Sequence, residues 1–129
     1  GIVNNGFVLA KKIAVALGQI SDVKISLCEV KIDKKNPFNP ITTSLNQEEY
    51  SGKSLVLIDD VLHTGTTLIY GVNHFLKVPL KLFKTAVLVN RNHKKYPVKA
   101  DFKGISLSTS VNEHISVILE GNEIGIYLS

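Results

Sequence analysis

The chain has 129 residues, of which 44% are hydrophobic and 20% are charged, so its size and composition suit one globular domain with an ordinary core. No apolar run approaches the roughly 18 residues that a membrane-spanning helix needs. No secretory leader is visible and Cys28 is the only cysteine, which together predict a cytoplasmic protein. The net charge of +4 suits an anionic ligand but is weak support for nucleic-acid binding.

The first half of the chain predicts a helix, a strand and a long loop. Apolar residues recur at helical spacing over residues 7–17, and Gly18 follows as an expected stop. Residues 23–30 are rich in β-branched and apolar side chains, which predicts a strand. Residues 31–52 are polar, include two prolines and show no periodicity, so we interpret them as a long loop, which in a compact domain is usually functional or mobile.

The second half predicts further strands and one helix. Residues 54–58 form a continuous apolar run, typical of a strand buried on both faces of a parallel sheet, and two aspartates are expected to end it. A helical face follows over residues 66–76. Three further segments complete the pattern: a strand at 82–89, a polar basic loop at 90–100, and a hairpin of strands 116–119 and 124–128.

Strands that alternate with helices predict an α/β fold with a mostly parallel twisted sheet, a C-terminal hairpin and a ligand site at the carboxyl ends of the strands. We expect one domain over residues 1–129. The chain contains no methionine and opens at Gly1-Ile2-Val3, which is typical of the end of a strand entering a loop. We therefore expect a preceding segment in the natural protein.

Residues 55–67 carry the most informative motif, Leu-Val-Leu-Ile-Asp-Asp-Val-Leu-His-Thr-Gly-Thr-Thr. A buried strand brings two carboxylates to the sheet edge, and a short turn then opens a helix whose first amides and dipole attract an anion. Gly65 would let the backbone approach a phosphate closely because it has no Cβ. Carboxylates next to an amide cradle describe a sugar phosphate better than a bare phosphate, since sugar hydroxyls can donate to them.

A simpler interpretation is that the two aspartates only end a strand and that a threonine caps the following helix. For an isolated acidic pair that interpretation would be preferred. The succession of apolar strand, paired acids, Thr-Gly-Thr-Thr and amphipathic helix is more specific, and it favours the phosphate site. Arg91 is the only arginine, so this site has to depend on amides, hydroxyls, lysines or a metal.

The motif resembles the phosphoribosyl pyrophosphate (PRPP) signature of type I phosphoribosyltransferases. The resemblance implies that Asp59 and Asp60 bind the ribose hydroxyls and hold Mg²⁺, directly or through water. It also implies a cradle for the 5-phosphate, formed by Thr64, Gly65, Thr66 and Thr67. His63 falls where purine-salvage members often place an aspartate near the base, so it joins the acid pair as a candidate catalytic residue, although a stacking or exposed side chain is the simpler interpretation.

Within the family, the pattern is nearest to pyrimidine-operon regulators with uracil phosphoribosyltransferase activity. Residues 60–65 resemble their Asp-Val-Leu-Tyr-Thr-Gly, and residues 86–110 resemble a second segment. The resemblance implies that residues 31–52 close over the substrate and that a helix and a strand precede Gly1. It assigns the remaining contacts to two sets: Asn4, Asn5 and Gly6 at the pyrophosphate, and Arg91 and Asp101 at the base.

The pyrophosphate loop departs from that pattern. Residues 3–6 are Val-Asn-Asn-Gly, where active relatives carry Lys-Thr-Arg-Gly. Breaking the bond to pyrophosphate develops negative charge, so the loss of basic side chains is expected to slow this step unless magnesium supplies the positive charge.

Two main hypotheses follow. The first is an enzyme that moves the phosphoribosyl group of PRPP to a nucleobase, uracil, and releases pyrophosphate, with Mg²⁺ as cofactor. The second is a regulator that senses PRPP or a pyrimidine nucleotide and binds RNA through the basic loop that follows residue 90, with little turnover. A third is a degenerate relative that only forms oligomers. We expect a homodimer or larger homo-oligomer in each case.

Overall fold

The computed structural model describes residues 1–91 and 93–129. Its helices are α1 (Asn5–Ile20), α2 (Gln47–Tyr50) and α3 (Thr66–Phe75). Its strands are β1 (Val30–Lys31), β2 (Thr42–Thr43), β3 (Ser54–Leu62), β4 (Leu82–Asn90), β5 (Phe102–Ser106), β6 (Ile115–Ile118) and β7 (Gly125–Leu128). In the described part of the chain, no helix has both the length and the apolar character needed to cross a bilayer.

Strands β3, β4 and β5 form a parallel sheet in that order. The first residues of the chain extend it on the other side of β3, because the Ile2 amide donates to the Ile58 carbonyl at 2.9 Å and Ile2 forms a parallel bridge with Val30. Strands β1 and β2 form an antiparallel pair, as do β6 and β7. The predicted α/β fold, with its mostly parallel sheet and C-terminal hairpin, is confirmed.

The core lies on both faces of the sheet. Successive residues of a strand point to opposite faces, so Leu57 joins a buried cluster on the α3 side and Ile58 joins one on the α1 side. Helix α3 contributes Leu68 and Phe75 to the first cluster. Residues from α1 and β6 complete the second. Helices on both faces of β3 bring their first turns to the edge where β3 ends.

Three expectations for the first half of the chain are wrong. Helix α1 continues through Gly18 to Ile20, because this glycine does not adopt the left-handed conformation that ends a helix. The strand expected at 23–30 is reduced to Val30–Lys31, since residues 23–29 belong to no strand of a sheet. The segment expected to be a featureless loop, 31–52, contains β2 and also α2, which begins with a capping box.

In the second half, α3 and the β6–β7 hairpin are confirmed, but two details differ. Strand β3 does not end at the aspartates: it continues to Leu62, which lies opposite Asn90 of β4. Strand β5 has no counterpart in the sequence-based prediction. All its residues are exposed, and a Cβ added at Gly104 would lie 2.7 Å from the Leu88 carbonyl, so this glycine permits close strand pairing.

Candidate functional site

The two aspartates near the end of β3 lie beside the first turn of α1. Asp59 is buried, and an added Cβ at Gly6 would be 3.2 Å from its Oδ1. The same oxygen accepts a hydrogen bond from the Asp60 amide at 2.9 Å and lies 3.7 Å from Lys34 Nζ. Asp59 is thus enclosed by α1 on one side and paired with a lysine from the 31–52 segment.

Enclosure alters the acidity of Asp59. Burial raises the pKa of its carboxyl to about 7, although the positive charge of Lys34 opposes the shift and the neighbouring Asp60 adds to it. Near neutral pH, Asp59 therefore exists in both the protonated and the ionised form. It can accept a hydrogen bond from a sugar hydroxyl or donate one, depending on its protonation state.

Asp60 is half-buried and is held by Asn5. The side-chain amide of Asn5 donates to Asp60 Oδ2 at 3.2 Å and to the Val117 carbonyl of β6 at 2.9 Å. We call residues 4–6 the α1 start. The structure thus brings the predicted pyrophosphate-binding residues and the predicted ribose-binding acids together across 55 positions of sequence.

The α1 start has open amides but no charged side chain. Among the described residues, the amides of Asn5 and Gly6 have no hydrogen-bond acceptor, and the Asn4 side chain makes no cap. The Val3–Asn4 peptide is cis. The nearest acidic groups are the carboxylates of Asp59 and Asp60, so an anion here would meet both attraction by the helix start and repulsion by the acids.

The second helix start, residues 64–67, follows β3 and opens α3; we call it the α3 start. The hydroxyls of Thr64 and Thr66 are 2.9 Å apart, and the Thr66 amide donates to Thr64 Oγ1 at 3.3 Å. Within the described part of the chain, the amides of Gly65 and Thr67 have no acceptor. Unpaired amides, hydroxyls and the positive end of a helix dipole together form a site suited to an anion.

Gly65 has a structural role in addition to the one that the sequence suggested. It is buried with a φ of 89°, and an added Cβ would lie 2.7 Å from Val98 Cγ1. The amides of Lys95 and Tyr96 donate to the Thr64 carbonyl at 2.7 Å and 3.2 Å, which holds this loop against the α3 start. The space left by the missing side chain is therefore filled by the protein, and only the backbone amide and the threonines remain for a ligand.

His63 lies between the acid pair and the loop that follows β4. Its ring centroid is 5.6 Å from that of His93, whose Nε2 contacts the carbonyl oxygen of Thr109. Burial lowers the pKa of His63, and the nearby positive charge of Arg91 lowers it further. His63 is therefore held in its neutral form near pH 7, in which one ring nitrogen can accept a proton.

The two predicted base-binding residues make structural contacts. Arg91 is buried, and its guanidinium donates to Thr109 Oγ1 at 3.0 Å and to the Glu113 carbonyl at 2.8 Å, which ties the end of β4 to the segment before β6. The Asp101 carboxylate accepts from the Thr85 amide at 2.9 Å, a bond that lowers the pKa of Asp101. Asn92, part of the same predicted loop, lies outside the described residues. The assignment of both residues to the base stays a prediction.

Sequence reasoning did not foresee the pairing of Lys34 with Asp59 or the contact between His93 and Thr109. Lys34 belongs to a segment that lacks periodicity, and it lies 25 positions from its partner in the sequence. Two adjacent lysines stand at positions 34 and 35, and the sequence does not distinguish them. The path of the 31–52 backbone brings Lys34 to Asp59.

The donor set fits a magnesium ion that arrives with a phosphate ligand. Magnesium is usually bound by one or two carboxylates, with ligand phosphates and water completing its shell. Asp60 offers a half-buried carboxylate of that kind, whereas Asp59 is already paired with Lys34. Among the described residues, no three or more side chains able to ligate a metal lie together, so the set does not fit an ion held by the protein alone.

A cavity of about 540 Å³ lies elsewhere, lined by residues of the 42–50 segment and by His74. It contains none of the predicted site residues. The site at the end of β3 is instead formed by two helix starts, an acid pair and two flanking segments. Its functional groups, and not a deep cavity, identify it.

The sequence profile described as the phosphoribosyl transferase domain matches residues 1–120. Curated proteins named bifunctional protein PyrR are similar over most of the chain. The protein from Leuconostoc mesenteroides is 36% identical over 129 residues, 93% of this chain and 73% of the relative. The protein from Pediococcus pentosaceus is 33% identical over 130 residues, 92% of this chain and 73% of the relative.

Solved structures share the fold at low identity. Hypoxanthine phosphoribosyltransferase from Trypanosoma cruzi, in complex with the product IMP, matches with a TM-score of 0.73 and 16% identity over 89% of this chain. A hypoxanthine-guanine phosphoribosyltransferase from Bacillus anthracis matches with a TM-score of 0.64 and 17% identity over 82% of this chain. The chain spans 61% and 62% of the length of these two structures.

Proposed function

The chain belongs to the phosphoribosyltransferase family, and from that premise we propose that it transfers the 5-phosphoribosyl group of PRPP to a ring nitrogen of a nucleobase. In this reaction the bond from C1 of the ribose to pyrophosphate breaks, and the electron pair leaves with pyrophosphate. The base nitrogen bonds to C1 and loses its proton. We propose uracil as the base because the motif resembles that of uracil-using members.

The observation that carries this proposal is the juxtaposition of an acid pair and the α3 start at one sheet edge. The open amides of Gly65 and Thr67, with the hydroxyls of Thr64 and Thr66, suit the 5-phosphate. The carboxylates of β3 suit the ribose hydroxyls. A sugar phosphate carries its phosphate and its ring hydroxyls a few bonds apart, and here Asp60 and Thr64 lie four positions apart in the sequence at the end of β3.

Each remaining residue receives one role. Negative charge at the acid pair favours the positive charge that develops on the ribose as the bond to pyrophosphate breaks. His63, held neutral, accepts the proton that the base loses. The α1 start faces pyrophosphate through the amides of Asn5 and Gly6. Asp60 would hold Mg²⁺, which when bound would supply the positive charge that this start lacks.

The direct experiment is a turnover assay with PRPP, Mg²⁺ and a panel of uracil, hypoxanthine and guanine. We expect uridine monophosphate to accumulate above the enzyme-free rate, with the purines used more slowly. Nucleotide formation from hypoxanthine alone would overturn the assignment of uracil but retain the transferase. The absence of any nucleotide product would contradict the enzyme.

A binding experiment examines the site without turnover. We expect Asp60→Asn to weaken ribose 5-phosphate binding at least tenfold in calorimetry while the fold survives, because the amide can still accept from Asn5. Asp22→Asn is the matched control, since Asp22 is exposed and lies beyond α1. Equal affinities of wild type and Asp60→Asn would place the site elsewhere.

A second function is favoured by the uncharged α1 start: a regulator that binds PRPP or a pyrimidine nucleotide and RNA with little turnover. The segment after β4 and the start of β5 expose lysines that could contact phosphates, namely Lys94, Lys95, Lys99 and Lys103. Nucleotide binding without product, together with RNA affinity that falls steeply with salt, would support it. RNA binding that does not depend on salt would contradict the lysine contacts.

We also propose a homodimer. The second half of α1 leaves apolar side chains uncovered: Ile13 is 39% exposed, Leu17 37% and Ile20 84%. A helix of this length usually buries such a face. We expect Leu17→Glu to shift the protein from dimer toward monomer. Sedimentation equilibrium of the wild type and of the variant measures this shift.

A further inference from the structure

Strands β4 and β5 are parallel neighbours, and residues 91–101 connect them. Parallel strands are usually joined through a helix, but residues 93–101 include no helix or strand. Two residues of this connection, Val98 and Ala100, pack against the buried cluster on the α3 side of the sheet. The connection therefore passes over the face of the sheet that carries the α3 start. We call residues 95–100 the crossover segment.

The far end of the crossover segment is attached to β4 by Thr85. The Thr85 hydroxyl donates to the Lys99 carbonyl at 2.6 Å, and its oxygen accepts from the Asp101 amide at 3.1 Å. The Thr85 amide donates to Asp101 Oδ2 at 2.9 Å. Thr85 is only 6% exposed, so water competes little for these bonds. One buried hydroxyl thus fixes the point at which the crossover segment returns to the sheet.

The near end of the crossover segment holds the α3 start. The amides of Lys95 and Tyr96 both donate to the Thr64 carbonyl, and Val98 fills the space beside Gly65. The Thr64–Gly65 peptide is trans, and the carbonyl and amide of a planar trans peptide point in opposite directions. Because the Thr64 carbonyl faces the crossover segment, the Gly65 amide faces away from it, and within the described residues it has no acceptor.

The Gly65 amide depends on this support because glycine gives the peptide before it unusual freedom. Gly65 has a φ of 89°, and a glycine reaches negative φ values about as readily. Rotation of the Thr64–Gly65 peptide would turn the amide away from a ligand and bring the carbonyl oxygen, which repels a phosphate, toward it. Two donors on the carbonyl oppose this rotation, since it would leave both without their acceptor.

We propose that Thr85 is a positioning residue for the sugar phosphate: by holding the Lys99 carbonyl it keeps the crossover segment against the Thr64 carbonyl, and so keeps the Gly65 amide directed at the 5-phosphate. This inference depends on the proposed function, in which the α3 start binds that phosphate. Thr85 does not touch the ligand and acts only through the crossover segment. An amide that is fixed before the ligand arrives binds it more tightly than one that the ligand has to order.

The test removes the Thr85 hydroxyl and compares the result with the same change elsewhere. We expect Thr85→Val to weaken ribose 5-phosphate binding about fivefold or more in calorimetry and to speed hydrogen exchange at the amides of Lys95 and Tyr96. Thr85→Ser keeps the hydroxyl and should restore both quantities to within twofold of wild type. Thr43→Val is the matched control, because the Thr43 hydroxyl also donates to a backbone carbonyl, that of Leu45, but lies in β2. We expect this control to change neither quantity more than twofold.

Four results would overturn the proposal. Faster exchange at the two amides with unchanged affinity would show that the crossover segment does not position the site. Weaker binding with unchanged exchange would mean that Thr85 acts by another route. Equal weakening by Thr85→Val and Thr43→Val would reduce the effect to a general loss of stability. Failure of Thr85→Ser to restore the affinity would remove the hydroxyl from the explanation.

A second variant covers the case in which Thr85→Val does not fold, as judged by circular dichroism. Val98→Ala loosens the crossover segment beside Gly65 without removing a buried hydrogen bond, and we expect it to weaken ribose 5-phosphate binding about threefold. An affinity within 1.5-fold of wild type would refute the proposal. If wild type does not bind ribose 5-phosphate, the proposed function fails together with this inference, whereas wild-type binding that neither variant alters refutes the inference alone.

Discussion

The α1 start and the α3 start are alike in their open amides and opposite in chemistry. Each begins a helix at the end of β3, and each has two amides with no acceptor in the described part of the chain. The nearest polar side chains are carboxylates at the α1 start and hydroxyls at the α3 start. A phosphate is therefore favoured at the α3 start unaided, whereas an anion at the α1 start needs a cation beside it.

The glycines of the two starts also differ. Gly6 lets backbone approach backbone, because its absent Cβ would lie 2.7 Å from the Ile58 carbonyl. Gly65 provides a left-handed φ and room for the Val98 side chain. Gly6 is thus packed against rigid backbone, whereas Gly65 is packed against a side chain that can move. Substitution of Gly6 is therefore expected to cost more stability than substitution of Gly65.

The largest effect is expected for Gly6→Ala. A backbone carbonyl cannot rotate away from the new methyl group, so α1 has to shift, and overpacking of this kind costs about 1 to 3 kcal/mol. We expect a loss in the free energy of unfolding of about 3 kcal/mol in urea denaturation. Gly18→Ala is the control in the same helix: nothing lies within 4 Å of an added Cβ. That variant should gain about 0.5 to 1 kcal/mol, and equal losses in both would refute the contact with β3.

Gly65→Ala is expected to come next, at about 2 kcal/mol of destabilisation. Part of the cost is the left-handed φ, and the rest is the contact with Val98. Gly121→Ala isolates the first part, because Gly121 has the same φ of 89° and open space around it. Adding Val98→Ala to Gly65→Ala should recover the second part in a double-mutant cycle. An additive cycle would contradict the contact.

Asp59→Asn removes one of the two carboxylates beside the α1 start and tests the raised pKa of Asp59. The folded-state pKa of about 7 lies above the ordinary value of 3.8, so between these pH values the folded protein holds more protons than the unfolded chain. Stability contributed by the protonated form is therefore lost as pH rises through this window. We expect the free energy of unfolding of Asp59→Asn to exceed that of the wild type by about 1 to 2 kcal/mol at pH 8 and by much less at pH 4.5. A difference that does not depend on pH would contradict the raised pKa.

The sequence predicted the α3 start well because its determinants are local. The apolar strand, the acids, the glycine and the helix follow one another over residues 54–76, and short-range physics is enough to join them. The hairpin of β6 and β7 is local in the same sense. The continuation of β3 to Leu62 was missed, and so was the packing of Val98 against Gly65, because Val98 lies 33 positions away.

The α1 start could not be predicted to the same extent, because its partners are distant in sequence. Asn5 meets Asp60, and Lys34 meets Asp59, only after β3 has been placed beside the first residues of the chain. Likewise, the β-branched and apolar residues of 23–30 predicted a strand, yet Val23 is 55% exposed and belongs to no strand of a sheet. Strand β5 was missed because Gly104 matters only in contact with Leu88 of the neighbouring strand.

The smallest effect is predicted for a substitution at the α3 start, and it tests which of the two helix starts binds the phosphate. Thr66→Val keeps the shape of the side chain but removes the hydroxyl that lies 2.9 Å from Thr64 Oγ1. A hydrogen bond to a charged group is worth about 1.5 to 3 kcal/mol, and less where a second hydroxyl remains. We therefore expect ribose 5-phosphate affinity to fall about three- to tenfold, or about 1 kcal/mol, in calorimetry.

Asn4→Ala is the matched change at the other helix start, since Asn4 is exposed and its side chain makes no cap. If the phosphate binds at the α3 start, this variant should leave ribose 5-phosphate affinity within twofold of wild type. The opposite result, in which Asn4→Ala weakens the sugar phosphate and Thr66→Val does not, would exchange the roles of the two helix starts. That exchange would place a singly phosphorylated sugar beside two carboxylates with only Lys34 to offset them, which is the arrangement that the charges of this edge disfavour.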